Sequence, residues 1–181
     1  MEKDMGAKVN SSNLNEELGM VSYVFSDKTG TLTQNIMEFQ KFSCGGISYG
    51  TSTPKAQDYG LGVTNVNFED DACFEGIDDT THKNHHHVKS FIECLGLCHT
   101  IDPEVKEKKG EKYTVYNATS PDELALVNGM RHLGFAFRCR DTDDNIVIDH
   151  LRLKTESKYK LLHVIEFNSD RKRMSVIVRD E

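Results

Sequence analysis

Two β-prone runs near the C-terminus flank a short polar turn, and this pattern constrains the fold more than any other in the sequence. The runs cover residues 159–167 and 172–178, and Asn, Ser and Asp occupy positions 168–170 between them. Such a turn joins neighbouring antiparallel strands. Two further strands are predicted upstream, over residues 135–140 and 146–153. The second half of the chain is therefore expected to form a mostly antiparallel sheet.

Two helices are predicted beside this sheet. Residues 120–123 read Ser-Pro-Asp-Glu, a helix start in which Ser is the N-cap, Pro is the first helical residue and the acids lie in the first turn. The apolar residues that follow have helical spacing until Gly134. Similar spacing predicts a helix over residues 88–100. The fold class is accordingly α+β, a mostly antiparallel sheet flanked by helices.

Several other segments are predicted to be turns or loops. Residues 44–64 are rich in Gly, Ser and Thr, which favours turns and short strands. Residues 67–80 carry acidic charges without a basic residue and are interpreted as a flexible acidic loop. The histidines at 85–87 are interpreted as a solvated loop, and residues 103–112 as a charged turn.

The charge balance excludes one class of function. The 181 residues contain 22 Lys and Arg against 29 Asp and Glu, which gives a formal net charge of −7. Sequence-independent binding to nucleic acid depends on basic groups that neutralise phosphates, so no nucleic-acid partner is expected. No uncharged apolar run approaches the roughly 18 residues that a membrane-spanning helix needs.

The five cysteines are predicted to be reduced thiols, because their number is odd and their spacing is scattered. Cys94 and Cys98 lie one helical turn apart, close to His99 and to the histidines at 85–87. A zinc site therefore has to be considered. Structural zinc sites usually bring tighter ligand pairs on turns, so core cysteines on a helix are the favoured interpretation.

Residues 27–33 read Asp-Lys-Thr-Gly-Thr-Leu-Thr and carry the most informative chemistry. A β-prone run over residues 21–25 precedes them, which predicts Asp27 at the carboxyl end of a strand, where open α/β sheets bind ligands. Backbone N–H groups of the following turn suit a phosphate, which Asp27 could attack as a nucleophile. Lys28 and the threonine hydroxyls would hold the transferred group, and a divalent cation would balance its charge. The alternative is a surface turn built from residues that turns favour.

This heptad resembles the phosphorylation motif of the P-type ATPases, the pumps that pass through an aspartyl-phosphate. Thr29 stands where many members of the wider haloacid-dehalogenase-like superfamily carry a second Asp as general acid. A hydroxyl does not serve as that acid at neutral pH. The phospho-intermediate is therefore expected to persist, which favours a pump over a simple phosphatase.

The flanking sequence points to one branch of these pumps. Phe25 replaces the Cys that cation pumps typically carry. Residues 12–19, 97–100, 120–123 and 166–176 are similar to motifs of the type IV P-type ATPases, the phospholipid flippases. The resemblance runs from about residue 12 to the last residues. A cation-pumping P-type ATPase and a stand-alone nucleotide-binding module are the alternatives.

The resemblance implies two parts. Residues 1–36 would be a lead-in, a stub of the haloacid-dehalogenase-like phosphorylation domain and a hinge, and residues 37–181 a nucleotide-binding domain that is incomplete at its C-terminus. The whole protein would be a multi-pass integral membrane ATPase with this segment facing the cytosol. Its partners would be ATP, Mg²⁺, a phospholipid substrate and, in this family, an accessory membrane subunit. The segment alone is expected to bind ATP at most, without turnover.

The resemblance also assigns site residues. Asp27 would be the phosphorylated nucleophile, Lys28 and Thr29 would complete the catalytic group, and Asp27 with Thr29 would form part of a Mg²⁺ site. Glu123 would order the adenine end of ATP, and adenine would stack on Phe167. The residues expected to contact nucleotide are Asp27, Lys28, Thr29, Glu123, Phe167, Ser169 and Lys172.

Some of these assignments have structural alternatives. Glu123 occupies a common helix-capping position, Phe167 is equally at home in a core, and residues 171–173 could form a solvated basic edge. Strand alternation places Lys172 on the face opposite Arg173. Arg173 is the second candidate for the nucleotide contact.

Overall fold

The computed structural model of the chain describes residues 14–50, 60 and 62–180. They belong to two compact units, one ending at Asn35 and the other beginning at Ile36. The motif at residues 12–19 and the turn-rich segment 44–64 thus lie partly outside the described residues. The assignment of residues 1–36 and 37–181 to two domains stays a prediction. Among the described residues, no helix is long and apolar enough to cross a membrane.

In the first unit, helix α1 (Leu14–Gly19) precedes a segment, residues 21–27, that forms no strand. The predicted strand over residues 21–25 is therefore wrong. Strands are stabilised by backbone hydrogen bonds to a neighbouring strand, and no described residue pairs with this segment. The Phe25 side chain is 95% exposed. Asp27 thus follows an exposed segment rather than a strand end.

The second unit is α+β with antiparallel sheets, as predicted. The four strands nearest the C-terminus form one sheet in which each pairs with the next, and two separate hairpins lie upstream. The predicted terminal hairpin is confirmed, with longer strands than expected. The elements in chain order are β1 (Phe42–Cys44), β2 (Ile47–Tyr49), α2 (Asp71–Asp78), α3 (His85–Leu97), β3 (Asp102–Lys108), β4 (Glu111–Asn117), α4 (Pro121–His132), β5 (Phe135–Arg140), β6 (Asn145–His150), β7 (Thr155–Asn168) and β8 (Arg173–Asp180).

Helix α4 begins and ends where local chemistry predicts. The Ser120 hydroxyl accepts a hydrogen bond from the Glu123 backbone N–H (3.4 Å), and Pro121 is the first helical residue. At the other end, Gly134 has φ of +98°, a left-handed conformation that favours glycine after a helix. The strand β5 follows at once, so this helix and the sheet are joined by a short connection.

The acidic segment contains helix α2 and is not the flexible loop that was predicted. The Asp70 carboxylate accepts hydrogen bonds from the N–H groups of Cys73 (3.0 Å) and Gly50 (2.8 Å). An acid at a helix N-terminus is also favoured by the helix dipole. Near the C-terminal end, Arg152 Nη1 lies 2.6 Å from Asp78 Oδ2. Asp70 and Asp78 thus have partners that are distant in sequence, and periodicity within the segment does not reveal them.

Helix α3 begins at His85, so the histidine run forms its first turn rather than a loop. The preceding Asn84 is buried, and its side-chain amide donates to the Tyr49 hydroxyl (2.6 Å) and the Cys44 carbonyl (3.3 Å). These contacts fix the start of the helix against β1 and β2. The helix ends at Leu97, three residues before the predicted end.

The cysteines are unpaired thiols, as predicted. Cys73 is buried in the core, and burial raises its pKa to about 12. Cys94 is exposed and Cys98 is half-buried, so the interpretation of Cys94 as a core residue is wrong. The spacing of the two thiols gave no means of deciding which side of α3 meets the core.

Residues 103–112 lie in the hairpin of β3 and β4 rather than in a charged turn. Lys109 and Gly110 have φ of +55° and +84° and connect the paired residues Lys108 and Glu111. A two-residue loop with both φ values positive is a type I′ turn, which matches the twist of the strands. Most side chains of β3 are exposed, so it lacks the apolar alternation by which strands are recognised.

The core lies between the helices and the main sheet. Val88 and Ile92 of α3, Val127 and Met130 of α4, and Ile148 of β6 are all buried. Packing of these apolar side chains against one another removes them from water and is the main favourable contribution to folding.

Two helical glycines allow this packing to be close. A Cβ atom at Gly96 of α3 would lie 2.7 Å from both Met130 Sδ and Ile148 Cδ1. A Cβ atom at Gly129 of α4 would lie 2.7 Å from Cδ1 of the Phe39 ring. A larger residue at Gly96 would have to displace the ends of the Met130 and Ile148 side chains, and one at Gly129 would have to displace the Phe39 ring.

We expect Gly129→Ala to destabilise the chain by about 1–3 kcal/mol, because overpacking against a buried ring displaces side chains or backbone. Urea unfolding followed by circular dichroism measures this change. Gly76→Ala in α2 is the matched control, since the nearest atom to its Cβ would be His82 Nδ1 at 3.4 Å, an ordinary contact. Equal effects of the two substitutions would contradict the packing argument.

Candidate functional site

The predicted phosphorylation motif forms a tight exposed turn. The Lys28 carbonyl accepts hydrogen bonds from the N–H groups of Leu32 and Thr33 and from the Thr33 hydroxyl, each at 3.1 Å. Gly30, with φ of +79°, allows the chain to reverse. The Asp27 side chain is exposed, and no described residue pairs with its carboxylate. This carboxylate is therefore open to solvent and to a ligand.

In the second unit, Glu123 connects the first turn of α4 to the segment after α3. Its Oε2 atom accepts hydrogen bonds from the Thr100 N–H (2.9 Å) and the Thr100 hydroxyl (2.8 Å). The N-cap bond is made by Ser120 to the Glu123 backbone N–H, so the Glu123 carboxylate is not used in capping. Glu123 was expected either to cap the helix or to contact the nucleotide. Its side chain does not cap the helix.

His99 holds the residues around Thr100 in place, a role that sequence reasoning missed. It is 3% exposed, its Nδ1 accepts from the Ile101 N–H (3.1 Å), and its Nε2 lies 3.1 Å from the Gly96 carbonyl oxygen. The ring also packs edge-on against Phe137. Burial lowers the pKa of His99 to about 4, so the neutral ring, with its proton on Nε2, makes both hydrogen bonds.

Two cavities meet beside these residues. One of about 250 Å³ is lined by Glu123, and one of about 320 Å³ by Arg140 and Glu166. His99 and Met174 line both cavities, so the cavities adjoin. The start of α4 and the end of β7 are thus on the same side of this unit.

Phe167 lies near the end of β7 and is 63% exposed. The structural alternative, in which Phe167 is a core residue, is therefore excluded. Ser169 follows in the turn and is exposed. The face of the Phe167 ring is therefore open for stacking.

Lys172 lies in the turn before β8, with φ of +54°. The prediction that Lys172 belongs to the strand and alternates with Arg173 is wrong, because β8 begins at Arg173 and a left-handed residue breaks the alternation. Its backbone N–H donates to the Asn168 carbonyl (2.7 Å), which tightens the turn. The asparagine also closes the turn with its side chain, since Asn168 Oδ1 accepts from the Asp170 N–H (2.7 Å).

The neighbouring arginines are engaged within the hairpin. Arg171 Nη2 donates to the Ser175 hydroxyl (3.1 Å), and Arg173 Nη1 donates to the Arg171 carbonyl (3.2 Å). No described residue accepts a hydrogen bond from the Lys172 ammonium. Lys172 is therefore the cation of this turn that is best placed to meet an anionic ligand.

The low pKa of His99 predicts a loss of stability in acid. Because the pKa is about 4 in the folded chain against 6.5 ordinarily, the stabilisation is complete above pH 6.5 and disappears as the pH falls toward 4. The full difference is on the order of 3 kcal/mol. Urea unfolding between pH 7 and pH 4.5 measures the trend, and the NMR titration of the His99 ring isolates this residue. A His99 midpoint near 6.5 would contradict the burial argument.

The chain is similar in sequence to known proteins. Residues 87–181 match the family model of the P-type ATPase cytoplasmic domain N. The chain is 42% identical over 187 aligned residues, 98% of its length, to phospholipid-transporting ATPase IC of Xenopus tropicalis and of Homo sapiens. It is 40% identical over 206 residues, 99% of its length, to phospholipid-transporting ATPase 10 of Arabidopsis thaliana.

The chain spans 14% of the first two relatives and 17% of the third. The alignment covers both the turn at Asp27 and the second unit with Glu123, Phe167 and Lys172, because it includes nearly the whole chain. The family match begins at residue 87, within α3, and includes the cavities beside Glu123. The chain belongs to the P-type ATPases, over their cytoplasmic domain N, and is similar in sequence to the phospholipid-transporting members.

Proposed function

We propose that this chain is the nucleotide-binding part of an ATP-driven phospholipid flippase, together with its phosphorylated aspartate. The observation that carries the proposal is identity of 42% to phospholipid-transporting ATPases over an alignment that includes the Asp27 heptad and the domain N match. In the whole protein, ATP hydrolysis would drive a phospholipid between membrane leaflets. That protein would be a multi-pass membrane protein with this segment in the cytosol.

The second unit would bind the nucleotide. Adenine would stack on the exposed ring of Phe167, and the Lys172 ammonium would approach the phosphates. The Glu123 carboxylate would order the adenine end while its Oε2 atom stays on Thr100. Ser169, exposed in the same turn, would add a polar contact. The fit rests on an open aromatic face and a lysine without another partner among the described residues.

Asp27 would receive the γ-phosphoryl group. A carboxylate oxygen of Asp27 forms a bond to the γ-phosphorus, the bond from phosphorus to the β,γ-bridging oxygen breaks, and ADP leaves with that electron pair. Water later attacks the phosphorus, which releases inorganic phosphate and restores the carboxylate. Thr29 offers no carboxylate to take a proton from that water, so the acyl phosphate would persist long enough to drive a conformational cycle. Lys28 would offset charge on the transferred group.

Mg²⁺ would be held only in part by this chain. The described residues contain no cluster of three or more His, Cys, Asp or Glu that could hold a metal ion. Mg²⁺ commonly takes one or two carboxylates and completes its shell with water and phosphate oxygens, so Asp27 and Thr29 fit a partial site. When bound, the ion balances the phosphate charge. For the 181 residues alone we expect nucleotide binding at most, without turnover.

The first test concerns the nucleotide contacts. Phe167→Ala should weaken ATP binding about tenfold or more, because stacking on an aromatic ring contributes about 1–3 kcal/mol. Isothermal titration of the chain measures the affinity. The matched control is Ile177→Ala on β8, an apolar residue of comparable exposure (49%).

Lys172→Ala is compared with Lys154→Ala, since Lys154 has the same left-handed conformation (φ +55°). Unchanged affinity in both Phe167→Ala and Lys172→Ala would refute the pocket.

The second test concerns Asp27 in the full-length protein. Asp27→Asn should abolish the formation of an acid-stable, hydroxylamine-sensitive phosphoprotein from labelled ATP, because an amide is not a nucleophile toward phosphorus. Ser26→Ala, one residue away, is the control and should leave labelling intact. Undiminished labelling of Asp27→Asn would place the phosphorylation elsewhere. Reconstitution of the full-length protein in vesicles then measures whether phospholipid transport is lost with the label.

A further inference from the structure

A separate cavity lies at the opposite end of α3 and α4 from Glu123. Its lining includes His85 and Lys89 in the first turns of α3 and Gly134 just after α4, whereas the Glu123 cavity is lined by Cys98 after the end of α3. The volume of about 470 Å³ falls within the range of small-molecule sites. None of the residues assigned to nucleotide lines it. It is therefore distinct from the site proposed above.

Most of the wall of this cavity is apolar. Ile77 from the end of α2, Ile92 from α3, Phe135 from β5 and Leu153 from the turn after β6 contribute to it. Leu153 is 73% exposed. Side chains from four separate elements thus converge on a concave surface that would bury the apolar part of a ligand.

Two cations line the same cavity. Arg152 uses only Nη1 to bond both carboxylate oxygens of Asp78 (2.7 and 2.6 Å), and its guanidinium lies over the Phe74 ring. Nε and Nη2 of Arg152 make no hydrogen bond with any described residue. Lys89 is half-exposed and has only a long ion pair, 3.8 Å, to Glu93. A guanidinium with unused donors and a half-exposed ammonium that line one cavity can together receive a carboxylate.

The charges of the lining favour a monoanion over a dianion. Lys89 and Arg152 are positive and Asp78 is negative, so the formal sum is a single positive charge. Burial, and to a smaller extent the charge of Lys89, lower the pKa of His150, which also lines the cavity and is thus neutral at pH 7. A dianionic phosphate would meet the Asp78 carboxylate with one negative charge uncompensated.

We propose that this cavity binds an amphiphilic monocarboxylate, a ligand whose carboxylate lies between Lys89 and Arg152 and whose hydrocarbon part packs on Ile77, Phe135 and Leu153. Decanoate is the probe that represents this class. The proposal is independent of phosphoryl transfer, because the cavity contains none of the residues assigned to ATP or to Asp27 chemistry.

The test is titration of the 181-residue chain with decanoate below its micellar concentration, followed by two-dimensional NMR and by calorimetry. We expect saturable binding at one site, with the largest shifts in the first turns of α3 and around residue 153. Lys89→Gln should weaken decanoate binding on the order of fivefold or more. The matched control is Lys83→Gln, since Lys83 is exposed and does not line the cavity.

Decanol and the variant Leu153→Gln separate the charged from the apolar contribution to binding. Decanol lacks the charge and should bind more weakly than decanoate, with equal affinity for the wild type and Lys89→Gln. Leu153→Gln should weaken both ligands, because it removes apolar wall without touching the cations. Absence of saturable binding, equal effects of Lys89→Gln and Lys83→Gln, or displacement of decanoate by ATP would each overturn the proposal. Circular dichroism of each variant verifies that the chain is folded.

Discussion

The close approach of α3 and α4 to their neighbours, which Gly96 and Gly129 permit, is the constraint on which the geometry of the second unit depends. With Gly96 against Met130 and Ile148, the end of α3 lies close to both α4 and β6. Thr100 after α3 therefore reaches the first turn of α4, where Glu123 accepts its two hydrogen bonds. Interiors packed to this density transmit a displacement rather than absorb it. A change in the core would consequently be felt at Glu123.

The buried imidazole of His99 converts this packing into a defined site. Because its two nitrogens are bonded to the backbone at Gly96 and Ile101, the chain leaves α3 in one conformation and presents Thr100 to Glu123. A charged ring could not accept the Ile101 N–H bond, since both nitrogens of a protonated histidine are donors. Protonation of the ring would thus disturb the position of Thr100.

Features that depend only on residues close together in the sequence were predictable. The start of α4 at Ser120 and Pro121, β5, and the terminal hairpin follow from capping and turn chemistry. Helix α2 and the start of α3 were missed because Asp70 and Asn84 bond to the distant residues Gly50 and Tyr49. At the site, the exposure of Phe167 could not be deduced from alternation near an irregular strand end. The conformation of Lys172 also required the structure, since non-glycine residues seldom have positive φ.

In the proposed site, the exposed position of Phe167 and Lys172 would limit how tightly this unit holds a nucleotide. Stacking contributes about 1–3 kcal/mol, and a solvated ammonium contributes about 0–1 kcal/mol on pairing with a phosphate. Together they contribute about 1–4 kcal/mol, which at most reaches the roughly 4 kcal/mol that corresponds to a millimolar dissociation constant. Tight binding would need the Glu123 side, where the carboxylate is already fixed by Thr100 and incurs little further ordering cost. Under the proposed function, weak binding at the ring with orientation at Glu123 would suit a domain whose ligand gives up its terminal phosphoryl group and then departs.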